Sequence, residues 1–135
     1  MAFVKELEEI CRRESVEFIE LRDWVWATID NIQEKTIDYY IATGSSPDDS
    51  DRQIDVNLIV DRRVYSYSKS KHTKAFFIYP IGHFEFYREE FSLGFITCTF
   101  SISDEAGFYI ADKVANSARL QAFTSKIRIL AWGER

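Results

Sequence analysis

The period-two alternation of residues 54–68 constrains this fold more than any other feature. Ile54, Val56, Leu58 and Val60 alternate with Asp55, Asn57, Ile59 and Asp61, the pattern of a half-buried strand whose successive side chains point to opposite faces. Residues 64–68 and 75–79 read as a strand pair joined by 69–74. Residues 83–88 and 95–102 read as another, with a turn around 89–94, and 37–42 as an earlier strand. Residues 44–50, Gly-Ser-Ser-Pro-Asp-Asp-Ser, have the composition of a mobile loop. Eleven Phe, seven Tyr and three Trp suit pleated, half-buried surfaces.

Helical spacing frames these strands. Phe3, Val4, Leu7, Ile10 and Cys11 share one helical face, which predicts a helix over about residues 2–13. Residues 16–33 fit two patterns. Val25, Ile29 and Ile32 have helical spacing, whereas Trp24, Trp26 and Thr28 alternate with Val25, Ala27 and Ile29; the β-branched residues and the tryptophans favour strands. Phe108, Ala111, Ala115, Ala118 and Ala122 lie on one side of a helical wheel, with Asp104 as a cap, which predicts a helix starting near 105. Phe123, Ile127 and Leu130 lie on the opposite side. Either the helix ends near 124–125 and 126–132 forms a final strand, which is favoured, or a longer helix offers its second face to a partner. The expectation is one α+β domain over residues 1–135. It comprises a curved antiparallel sheet of about six or seven strands with an N-terminal and a C-terminal helix.

Residues 57–68, Asn-Leu-Ile-Val-Asp-Arg-Arg-Val-Tyr-Ser-Tyr-Ser, resemble the strand–turn–strand of bacterial PH-like domains, where a Thr/Asp-Arg-Arg turn often links two hydrophobic strands. Residues 79–86, Tyr-Pro-Ile-Gly-His-Phe-Glu-Phe, resemble their proline-led strand. The resemblance covers about half the chain. It implies a curved antiparallel sheet capped by a helix, and binding rather than catalysis, with no particular ligand. The amphipathic N-terminal helix and the strand expected after the last helix depart from the simplest version.

Charge and chemistry bound the function. The chain carries −5 overall, yet residues 62–74 hold Arg62, Arg63, Lys69, Lys71 and Lys74 and no acid, leaving −10 on the remainder. That balance argues against nucleic acid. It makes the basic segment, flanked by Tyr65 and Tyr67, a candidate site for an anionic ligand or an acidic protein partner, with Asp48, Asp49, Asp51 and Asp55 as modulators. The alternative is an enzyme using His83 and Glu85, placed with Tyr87 on one side of a strand where a carboxylate can orient an imidazole base. No Walker loop, GxGxxG, GxSxG, CxxC or HExxH occurs, so the sequence implies no cofactor and no metal site.

Cys11 and Cys98 sit in apolar patterns and read as core thiols of a reducing compartment. No stretch approaches the ~20 apolar residues of a membrane span. The start lacks a secretory pattern, so the expected location is cytoplasmic. Trp24, Trp26, Tyr39, Tyr40, Phe76, Phe77, Phe91 and Trp132 make more ring surface than one core encloses. With an open strand edge able to pair with its copy, this favours a homodimer. The leading expectation is a non-enzymatic binding or interaction module.

Overall fold

Phe3, Leu7, Ile10 and Cys11 are the buried stripe of helix α1 (Ala2–Glu14), whose last turn carries Arg12 and Arg13 at the negative end of the helix dipole. The computed structural model describes residues 2–29, 37–43, 53–70, 72–102 and 107–133. Ser15, at φ 59°, ends α1 in the left-handed region, and the Val16 amide donates to the Cys11 carbonyl at 3.0 Å, a Schellman-type closure. Helix α2 (Phe18–Thr28) follows at once. Strands were expected over much of this segment, and the structure corrects that. Leu21, Val25 and Ile29 recur every fourth residue and are all buried, and this tertiary burial outweighs the strand preference of Trp and Val. The tryptophans lie on the flanks of that stripe: Trp24 meets Tyr67 edge-on at 5.2 Å, and the Arg22 guanidinium lies 4.7 Å over the Trp26 ring.

Among the described residues there are seven antiparallel strands, in two sheets rather than one. Strands β1 (Asp38–Ala42), β2 (Gln53–Val60), β3 (Arg63–Ser70) and β4 (Lys74–Pro80) form a sheet in chain order. Strands β5 (Phe86–Ser92), β6 (Phe95–Ser101) and β7 (Gly107–Lys113) form the other. Asp61 and Arg62, with φ 50° and 61°, make the two-residue turn between β2 and β3, and Leu93 and Gly94, with φ 54° and 82°, the turn between β5 and β6. Positive φ at both central residues matches the twist of the strands they join. The chain leaves the first sheet after Pro80, the last residue of β4. A 3₁₀ turn over Ile81–His83 redirects it to the second sheet.

The C-terminal third is the largest correction. The helix expected from about 105 is strand β7, and helix α3 runs over Ser117–Trp132, where a final strand was favoured. Leu120, Phe123, Thr124 and Ile127 are buried, while Ala115, Ala118 and Ala122 face solvent. The alanines of α3 mark helix propensity on its outer side.

The first sheet is covered on both faces. On one, Ile41, Val56, Leu58 and Tyr67 pack with Leu7, Cys11, Leu21 and Val25 of the two N-terminal helices. On the other, Tyr40, Ala42 and Val64 join Phe84, Cys98, Phe100, Phe108, Ile110 and the buried stripe of α3. Two apolar cores therefore share one sheet. No described helix is long and apolar enough to cross a membrane.

Candidate functional site

Among the described residues, the cations of 62–74 divide into two groups: Arg62 and Arg63 at one end of β3, and Lys69 and Lys74, which are cross-strand partners, at the other. β3 places Arg63 and Ser70 at opposite ends of a strand spanning roughly 23 Å at ~3.3 Å per residue. Arg62, in the β2–β3 turn, donates from Nη2 to the Leu130 carbonyl at 2.7 Å and so closes the last turn of α3. Lys69 donates from Nζ to the Ser70 carbonyl at 3.0 Å and lies 3.8 Å from Glu20 of α2. The Lys74 ammonium sits 4.6 Å over the Trp24 ring. These cations tie the sheet to its helices. Arg63 is exposed. Lys71 lies outside the described residues, as do Asp48, Asp49, Asp51 and the expected loop at 44–50.

His83 and Glu85 are exposed, His83 in the 3₁₀ turn and Glu85 ahead of β5. The turn breaks the alternation that would have set them beside Tyr87. The Tyr87 hydroxyl points inward, donating to Glu89 Oε2 at 2.5 Å and lying 3.0 Å from Thr124 Oγ1, with the Arg128 guanidinium 4.6 Å over its ring. Among the described residues no hydrogen bond or ion pair joins His83 to Glu85.

A polar cluster between the sheets was not legible in the sequence. Asp112 is 2% exposed and Asn57 1%. Tyr40 donates to Asp112 Oδ2 at 2.7 Å, and the Lys113 amide to Oδ1 at 2.8 Å. Ser66 Oγ donates to Asn57 Oδ1 at 3.0 Å, and Asn57 Nδ2 to the Tyr40 carbonyl at 3.3 Å. Asp55 accepts from Ser68 Oγ at 2.6 Å and Gln53 Nε2 at 2.8 Å. Burial pushes the Asp55 carboxyl up; the bonds from Ser68 and Gln53 draw it down, and the charge of Asp112 adds to the rise. The available signal was the polar row Asp55, Asn57, Ser66 and Ser68, which the β2–β3 register sets on one face. Among the described residues no group of three or more His, Cys, Asp and Glu side chains forms a metal site.

Between α1, β1 and α3, Lys5, Glu6, Glu9, Arg13, Tyr39 and Arg119 help line an open cleft of about 520 Å³. Glu6 holds two of its neighbours there: Tyr39 donates to Glu6 Oε1 at 2.8 Å, and Arg119 to Glu6 Oε2 at 3.0 Å.

The remaining feature is the outer edge of β4. Among the described residues, β4 has β3 on one side and no strand on the other. The Ser70 amide donates to the Thr73 carbonyl and the Ile81 amide to the Arg62 carbonyl, both at 3.0 Å. Alternation of the antiparallel ladder then directs the backbone groups of Ala75, Phe77 and Tyr79 toward β3, and those of Lys74, Phe76 and Ile78 outward. Residues 75–79 carry no charge. Phe77 is 50% exposed and Ile78 46%, on opposite faces of the strand, and Phe77 stacks on Tyr79 at 6.0 Å.

No family model, no curated protein and no solved structure matches the chain.

Proposed function

We propose that this protein is a non-enzymatic interaction module that takes up an extended chain along β4. The observation that carries this reading is the open, uncharged edge with Phe77 and Ile78 exposed on its two faces. An added strand gains affinity from main-chain hydrogen bonds and specificity from alternate side chains. Chains that leave a strand edge open usually blunt it with charge, proline or a bulge. Here Lys74 and Pro80 stand only at the ends, and the β3–β4 register is unbroken. The other outer strands are guarded: β5 has Arg88, Glu89 and Glu90 at its centre, β7 ends in Asp112 and Lys113, and β1 is only five residues long. The PH-like reading stands beside this proposal, supported by the seven antiparallel strands among the described residues and the C-terminal helix that follows them.

The test is a fluorescent peptide of residues 74–80 titrated into the protein and followed by anisotropy. The wild type is expected to bind it, and Ile78→Pro, which removes one outward-facing donor, at least tenfold more weakly, ~1.4 kcal/mol. Equal binding by both proteins would contradict the reading.

A further inference from the structure

The open edge of β4 is complementary to itself, and we infer that its occupant is β4 of a second copy, antiparallel, with the two-fold axis at Phe77. This rests on the reading of β4 as an adhesive edge and names the partner. A two-fold interface sets the same patch of both subunits together, so each residue must tolerate its own counterpart. With Phe77 facing Phe77 of the second copy, Phe76 lies opposite Ile78, Ala75 opposite Tyr79 and Lys74 opposite Pro80. No like charges meet, and the whole strand Lys74–Pro80 is paired.

The backbone agrees with this register. Lys74, Phe76 and Ile78 point their N–H groups outward. Each of these donors then meets an outward carbonyl of the second copy: Lys74 that of Pro80, Phe76 that of Ile78, and Ile78 that of Phe76. Pro80, which has no N–H, serves only as acceptor. A one-residue slip would set outward groups against groups already bonded to β3. A two-residue slip would lay Phe77 against Ala75 or Tyr79 and leave one end of each strand unpaired. Phe77 and its counterpart form a non-hydrogen-bonded pair, with Cα atoms about 4.5 Å apart. The ring left 50% exposed in the single chain thereby packs on its own kind. The product is one continuous sheet built from two four-stranded sheets.

Four proteins test this. By sedimentation equilibrium from about 1 to about 500 µM, bracketing micromolar affinity, the wild type is expected to rise from 15.8 kDa toward twice that mass. Ile78→Pro, with its fold verified by circular dichroism, is expected to dissociate at least tenfold more readily. Phe77→Cys tests the axis independently, because Cα atoms about 4.5 Å apart lie within disulfide range. On mild oxidation it should form at least tenfold more linked dimer than Leu93→Cys, an exposed position on the β5–β6 turn, while the native thiols Cys11 and Cys98 are buried. A constant 15.8 kDa mass, or no more cross-linking by Phe77→Cys than by Leu93→Cys, overturns self-pairing. A monomer that still binds the 74–80 peptide through β4 overturns self-pairing while leaving the edge reading intact. A monomer that ignores the peptide overturns both.

Discussion

Asp55 carries two hydrogen bonds and has a second buried carboxylate, Asp112, nearby, so its ionisation is linked to folding. Its carboxyl is held above the usual range, chiefly by burial, and the folded chain therefore binds its proton more tightly than the unfolded chain does. The resulting stabilisation is fully present below the unfolded pKa of about 4. It is lost as pH rises through the higher folded value. Asp55→Asn keeps an acceptor for Ser68 and Gln53 and removes the charge. It is expected to be at least as stable as the wild type at pH 8 and to flatten, in urea unfolding, the decline that sets in above the unfolded value. Asp55→Ala leaves Ser68 and Gln53 without their acceptor and should cost about 1–3 kcal/mol. An Asn variant clearly weaker than the wild type at pH 8 would show that the charge itself is needed. The thiols behave as core groups: Cys11 is 1% exposed, and burial, reinforced by Glu17, pushes it up to about 11. Its labelling in the native state should run at least tenfold slower than in denaturant, as a thiolate is the reactive form.

At the scale of elements, the alternation of 54–60 and 95–102 identified strands because one face of each carries a uniform apolar row. The alternation in β7 was masked. Phe108 and Ile110 face inward, but Ala111 and the alanines beyond it continue a chance helical spacing. The two apolar faces expected of a C-terminal helix then belong to two different elements. Ala118→Glu and Ala122→Lys are therefore expected to change stability by less than about 0.5 kcal/mol, whereas Ile127→Ala should cost about 2–5 kcal/mol. Comparable losses from the two classes would contradict the orientation of α3. The basic hairpin divides likewise. Arg62→Ala gives up a bond to the end of α3 and should cost about 0.5–1.5 kcal/mol, while Arg63→Ala should stay within about 0.5 kcal/mol. Charge clustering in sequence could not show this, because residues at the two ends of a strand are close in number and far apart in space.

At the scale of the molecule, the aromatic excess has a physical explanation that sequence counting could not supply. A sheet covered on both faces has two cores to fill, and Tyr40, Trp24, Tyr39, Phe76 and Trp132 divide between them. What remains outside includes Phe77, on the edge where the backbone is also open. The class of the fold was legible because strand periodicity is local. The division into two sheets was not, since it depends on how a 3₁₀ turn redirects the chain. The most direct measurement of the account is residue-resolved amide exchange along β4. Phe76 and Ile78, whose amides point away from β3, are expected to exchange slowly in concentrated protein and at least tenfold faster on dilution, while Phe77 and Tyr79 stay protected throughout. Exchange at Phe76 and Ile78 as fast as in an unstructured peptide at every concentration would contradict it.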